Sequence, residues 1–214
     1  ANESRLQLTV IGKQLARLPV DPRYARMVVE AARLNCVSEV LIIAAGLSIQ
    51  DPRERPQDKR QAADEMHSDY RCKESDFLGF LLLWQDFKQQ QKDLGANQLR
   101  TWCKKHFINF LRMREWQDIV SQLKKSVAEL GFGISHTEAD YQAIHQAMAA
   151  GLLSHLGFKD KDREYLGARN SRFMIFPGSG LSKSQPKWTM VAELVETSNL
   201  FGRVAAKIEP EWIE

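Results

Sequence analysis

Between Leu99 and Lys125 the chain carries seven cations, Arg100, Lys104, Lys105, Arg112, Arg114, Lys124 and Lys125, against two anions, Glu115 and Asp118. That local excess is larger than the formal net charge of +3 on all 214 residues. On one continuous helix, Lys105, Asn109 and Arg112 fall on one side. Leu99, Trp102, Cys103, Phe107, Phe110 and Met113 fall on another. A cation, an amide and a second cation in one stripe, with Lys104 beside it, can hold phosphate oxygens and base edges together. The same pattern also describes an ordinary solvated helix face. His106 sits among the apolar positions and reads as a packed, hydrogen-bonded histidine.

A second polar cluster, Arg172, Ser179, Ser182, Lys183 and Lys187, surrounds two loops near the end of the chain. Loops of this kind on small barrels contact single strands, and they are equally the polar turns of any barrel. No residue is assigned a catalytic role. Gly178 to Ser184 ends in Lys-Ser like a phosphate-binding loop, but it lacks the glycine before the lysine and has no helix behind it. Neither a G-x-S-x-G elbow nor an H-E-x-x-H helix occurs. Asp64, His67 and Cys72 lie close in sequence but lack zinc-site spacing, so they read as a helix end and no metal site is expected. Cys36, Cys72 and Cys103 form no C-x-x-C pair and read as reduced, mostly buried thiols of a cytoplasmic protein.

The elements that must position these residues change character near residue 150. Asp21-Pro22 starts a helix through Met27, Val28, Ala31 and Leu34. Ser38-Glu39 opens another, ending near Leu47, and the two prolines between Gln50 and Pro56 demand a loop. A polar helix is expected over Asp58 to His67, and Ser75-Asp76 caps an apolar helix through Trp84 and Phe87. Further helices are expected from Gln98 to about Phe110 and from about Arg112 to Leu130. Thr137 to Asp140 resembles a capping box for a last helix ending at Gly151. Short loops between these helices favour an antiparallel bundle. Beyond Gly151, five short apolar runs are separated by turn residues: Leu152 to Phe158, Glu164 to Ala168, Phe173 to Phe176, Trp188 to Val195 and Val204 to Ile208. Five strands in so short a stretch suggest a small barrel, of which the OB-fold is the common five-stranded case.

Hydrophobic residues make up 43% of the chain, enough for a sizeable core, and the pI near 8.8 permits a nucleic-acid partner without demanding one. No apolar run is long enough to span a membrane. The chain opens Ala1-Asn2-Glu3-Ser4, with neither an initiator methionine nor a signal-peptide pattern, as a processed chain or an excised fragment would.

Several ordered motifs carry a family resemblance over essentially the whole chain. Leu8 to Ala16 and Leu18 to Pro22 resemble the segment where DEAH-box RNA helicases pass from a winged helix into their helicase-associated domain. Ile43 to Pro56, Ser75 to Leu78, Leu83-Trp84, Trp102-Cys103, His106-Phe107 and Leu111 to Trp116 are similar to the bacterial HrpA-type members. Phe173 to Ser179, Glu193 to Ser198 and Pro210 to Trp212 resemble the family's OB-fold. Two departures stand out. Many eukaryotic relatives carry Asn-x-Arg-Ser-Leu where this chain has Asn109-Phe110-Leu111-Arg112-Met113, which displaces the arginine by one residue. Relatives often have His-Pro-Ser where this chain has Phe176-Pro177-Gly178-Ser179, which removes a histidine contact.

The resemblance implies three parts: the end of a winged-helix domain over residues 1–20, a helical ratchet domain over 21–150 and an OB-fold domain over 151–214. It implies a single-stranded RNA partner, gripped while RecA-like motor domains of the same parent chain, using ATP and Mg, pull it in the 3′-to-5′ direction. The motor is not among these residues, so no cofactor and no ATP hydrolysis are expected of them alone. From their residue types and placement, Lys104, Lys105, Asn109, Arg112, Arg172, Ser179, Ser182 and Lys183 are the expected nucleic-acid contacts. The other function these features allow is a protein-interaction module that docks an activator or ribosomal partner.

Overall fold

The computed structural model describes residues 7–135 and 137–213. Residues 1–6 of the expected winged-helix end lie outside the described residues. Past them, the Thr9 hydroxyl accepts from the Gly12 N–H at 3.0 Å and caps a short helix α1 (Val10–Leu15), none of whose residues is buried. Asp21 and Pro22 start α2 (Pro22–Arg33) as expected, with the Asp21 carboxylate accepting from the Arg23 N–H at 2.8 Å. The next helix, α3 (Val37–Leu47), is apolar on almost every side, which requires neighbours all round. They are α2 with α5 (Asp76–Asp93), α7 (Phe110–Glu129) and α8 (Tyr141–Gly151). Trp116 of α7 is wholly buried against α3 and donates its indole N–H to the Ile42 carbonyl at 2.9 Å. The two remaining helices are α4 (Arg60–Met66) and α6 (Ala96–Lys105), giving eight among the described residues.

Two expected boundaries are corrected. The helix predicted from Gln98 to Phe110 stops at Lys105, and α7, expected from about Arg112, begins at Phe110. Phe107 takes a left-handed conformation at φ 54, and the backbone over 107–109 pairs with the proline loop after α3 instead of continuing the helix. Glu54 N–H donates to Phe107 O at 2.8 Å, and Asn109 N–H donates to Pro52 O at 2.7 Å. Long-range pairing has replaced local helical bonds. The cap of α8 is Asp140, whose carboxylate accepts from Ala143 N–H at 2.7 Å, rather than Thr137. Ser135 and Thr137 bond each other in a turn before it.

Strands β1 (Leu156–Lys161), β2 (Glu164–Gly167), β3 (Arg172–Ile175), β4 (Trp188–Glu196) and β5 (Leu200–Lys207) close into a barrel in the order β1-β2-β3-β5-β4. All neighbours are antiparallel except β3 and β5. β5 begins four residues before the predicted run at Val204. Alternation along the strands builds two cores. Val191 and Ala205 point into the barrel with Tyr165, Phe173, Ile175 and Leu181. Met190, Ala192 and Ala206 point the other way, into the core of the helical part.

The seam between helices and barrel is also polar. Asp76, first residue of α5, is half-buried and accepts from Gly180 N–H at 2.8 Å, Ala205 N–H at 2.9 Å and the Ser179 hydroxyl. A Cβ at position 180 would collide with the Cys72 carbonyl oxygen, so only glycine lets the loop approach α5 this closely. Burial raises the Asp76 pKa above the ordinary carboxylate value, while these three donors and Arg53 work to hold it down. Beside it, Ser75 pairs with Ala206, and Lys207 N–H donates to Glu74 O at 2.8 Å. No described helix is long and apolar enough to cross a membrane.

Candidate nucleic-acid interface

A groove of about 760 Å³ runs between the two parts. Its helical wall is the loop after α3 and the start of α7, and its barrel wall is the middle of β4 and β5. Four arginines line it: Arg53, Arg55, Arg112 and Arg203.

They differ in how much of their hydrogen-bonding capacity is already used. Arg53 is held by a two-point fork to Asp51, with Nε at 3.0 Å and Nη2 at 2.7 Å, and lies 5.2 Å from the centre of the Phe80 ring. Burial opposes the charge on Arg53, yet Asp51 keeps its pKa above the ordinary arginine value. Arg55 makes a similar fork to Asp64, at 2.8 and 2.7 Å. Arg112 is bound more loosely. It donates once, to the Asp51 carbonyl at 3.0 Å, and Glu54 stands 4.0 Å away. Arg203 has one long ion pair, 3.7 Å to Glu193 on the neighbouring strand, and its side chain is 49% exposed. Guanidinium carries five N–H donors, so Arg112 and Arg203, on opposite walls of the groove, have donors to spare beyond their partners among the described residues. Asp51, Glu54 and Glu193 also line it, so its charge excess is small. A polyanion entering here would exchange one set of carboxylate partners for phosphates.

Of the residues singled out from sequence, the structure brings only Arg112 into this groove. The single stripe is corrected by the interruption of the helix at 106–109, which puts Lys105 and Arg112 on different helices. Lys104 and Lys105 stand exposed in the last turn of α6, where cations complement the helix dipole. Asn109 is the cap of α7. Its Oδ1 accepts from Arg112 N–H at 3.1 Å and its Nδ2 donates to Glu54 at 2.8 Å, so the amide holds the groove wall. Arg172 lies on β3 and pairs with Asp160 at 2.6 Å and Glu164 at 3.4 Å, away from the groove lining. Ser179 is engaged by Asp76 in the seam. Ser182 and Lys183 sit on the loop between β3 and β4, Lys183 exposed.

His106 is a packed histidine, its ring stacked on Trp102 with centres 4.5 Å apart and its Nδ1 2.8 Å from the Trp102 carbonyl. Among the described residues no three His, Cys, Asp or Glu side chains gather as a metal would need, and Asp64 faces Arg55. Cys36 and Cys103 are buried free thiols, and burial pushes Cys36 up to about 12 and Cys103 to about 11. Arg203 was missed because it precedes the predicted strand. Its cross-strand partner Glu193 is the signal that could have found it.

Two family models match the chain in order. The helicase-associated domain, ratchet-like, matches residues 21–109, and the oligonucleotide/oligosaccharide-binding OB-fold matches residues 144–214. The ATP-dependent RNA helicase HrpA of Escherichia coli is 58% identical over 99% of this chain. Its homolog from Haemophilus influenzae is 56% identical over 100%. A pre-mRNA-splicing factor ATP-dependent RNA helicase of Arabidopsis thaliana, DEAH10, is 26% identical over 100% of this chain and is covered over 31% of its own length. The chain spans 16% of the length of each bacterial relative. With its helicase-associated and OB-fold matches in sequence and this identity along nearly every residue, the chain belongs to the HrpA-type DEAH-box RNA helicase family.

Proposed function

We propose that this chain is the strand-guiding part of an ATP-dependent RNA helicase, holding single-stranded RNA in the groove between an antiparallel helical bundle and an OB-fold barrel. The observation that carries the reading is a groove with a loosely engaged arginine on each wall, Arg112 on α7 and Arg203 on β5. Phosphates bridge from one to the other, and Lys104, Lys105 and Lys183 add charge outside the groove. RecA-like motor domains of the parent protein, with ATP and Mg, supply the movement. The fixed contacts here keep the strand from sliding back.

The test is the salt dependence of binding to a fluorescent single-stranded RNA. Contact with about four phosphates gives a log–log slope near −3, at roughly −0.7 per phosphate. Replacing Arg112 and Arg203 together by alanine is expected to flatten the slope by about one unit or more. Glu193→Gln frees Arg203 and removes a competing charge, so it is expected to tighten RNA binding several-fold. An unchanged slope in the double variant, with unchanged binding in Glu193→Gln, refutes the groove as the RNA site. A second reading, docking of an activator or ribosomal protein, draws on the three carboxylates in the lining. Under it, Glu193→Gln weakens capture of the basic partner and leaves RNA untouched.

A further inference from the structure

Phe176 is one of the few large apolar side chains left open on the barrel, 38% exposed, at the end of β3. It is not loosely held. Its N–H donates to Gly202 O at 3.0 Å and its carbonyl accepts from Ser179 N–H at 2.9 Å, which fixes the backbone on both sides. Phe201 packs edge-on to the ring, with centres 6.1 Å apart at 89°. The turn beneath is open for the ring because residue 178 is glycine, where a Cβ would lie 2.8 Å from Cε1 of Phe176. Over the ring, 5.2 Å from its centre, lies the guanidinium of Arg203, which also lines the groove. Burial of apolar surface does not explain this assembly, because the outermost layer is a half-exposed charged plane.

A guanidinium plane backed by an aromatic ring offers a flat, weakly hydrated surface on which a nucleobase stacks. We infer that Phe176 and Arg203 form a stacking platform for one unpaired base at the barrel edge of the groove. The inference rests on the proposal that RNA occupies the groove, and it adds base contact to what would otherwise be a backbone grip. A paired base has both faces covered and cannot use the platform, so the site selects single strands over duplex. Hydrogen-bond donors for a base edge are not part of it, so it tolerates any base.

The platform separates from phosphate binding in one experiment. The full chain is titrated with a single-stranded RNA and with an abasic oligonucleotide of the same length and charge. The wild-type chain is expected to prefer the RNA, and the platform's share of that preference is about tenfold. Phe176→Ala and Phe176→Leu are expected to lose that share with the salt slope unchanged, and Phe176→Trp to keep it. Arg203→Lys retains the charge but removes the plane, so it loses the share as well. If the preference for bases is the same in wild type, Phe176→Ala and Phe176→Leu, the platform is wrong while the groove reading stands. A salt slope that falls in the Phe176 variants makes the ring a support for a phosphate contact and overturns stacking. If the wild-type chain binds neither oligonucleotide, the groove reading fails with it.

Discussion

Asn109 shows why a residue type at the right spacing is not yet a site. From sequence its amide lies between two cations and suits a base edge, yet both of its ends are engaged within the fold, by Arg112 N–H and by Glu54. Its role is to set the first turn of α7 and so the position of Arg112. Asn109→Ala is therefore expected to lower stability by about 1 kcal/mol, the usual cost of a lost N-cap. It should weaken RNA binding only modestly and leave the salt slope in place, which denaturant unfolding and a salt titration check together. Arg112 was legible because its local charge excess is a property of neighbours in sequence. Arg203 was not, because its partners Glu193 and Phe176 are brought to it by strand pairing.

At the scale of elements, much of what is decided within a turn was readable, the cap of α8 at Asp140 excepted. Asp21-Pro22 and Ser75 start helices where the sequence places them, and the change from helix to strand period after Gly151 marks where the barrel follows. A break between two helices was expected around Phe110 to Arg112, but its place at 106–109 was not readable because backbone groups more than fifty residues away, at Pro52 and Glu54, complete it. The docking of barrel on helices was equally hidden. It rests on Asp76, which reads from sequence as an ordinary first-turn acid but accepts three bonds from the barrel side. Asp76→Asn keeps the size but substitutes a donor for one acceptor, facing donors from Ser179 and Ala205 or Gly180. Its expected cost is about 2 kcal/mol, since it breaks part-buried bonds to a charged acceptor. The loss appears in thermal melts of the whole chain. A cost below about 0.5 kcal/mol, the scatter of surface substitutions, would place the seam's strength elsewhere.

The molecule as a whole behaves as one unit if its seam is as continuous as its core, since Met190, Ala192, Ala206 and Ile208 of the barrel half share a cluster with the helices. His145 of α8 sits at that junction. Its Nε2 meets the Ser75 hydroxyl at 2.6 Å and its ring stacks on Tyr141, centres 3.8 Å apart. The Tyr141 hydroxyl in turn reaches the carbonyls of Glu74 at 2.9 Å and Lys207 at 2.8 Å, one on each side of the seam. Burial holds the His145 imidazole neutral, down to about 4 from an ordinary 6.5, although its bond to the Tyr141 carbonyl favours the proton. The sign follows from proton uptake. Between pH 6.5 and 4 the unfolded chain takes up a proton that the folded chain refuses. The contribution of His145 to stability is therefore complete above pH 6.5 and is lost as pH falls toward 4, by about 3 kcal/mol in all. His145→Gln carries no such proton. Its stability deficit relative to wild type is expected to be largest near pH 7 and to shrink on acidification. Urea unfolding of both chains at pH 7, 5.5 and 4.5 measures this, with tryptophan emission and far-ultraviolet dichroism as separate probes. A gap that stays constant with pH denies the buried neutral imidazole, and probes that part company deny that helices and barrel unfold together.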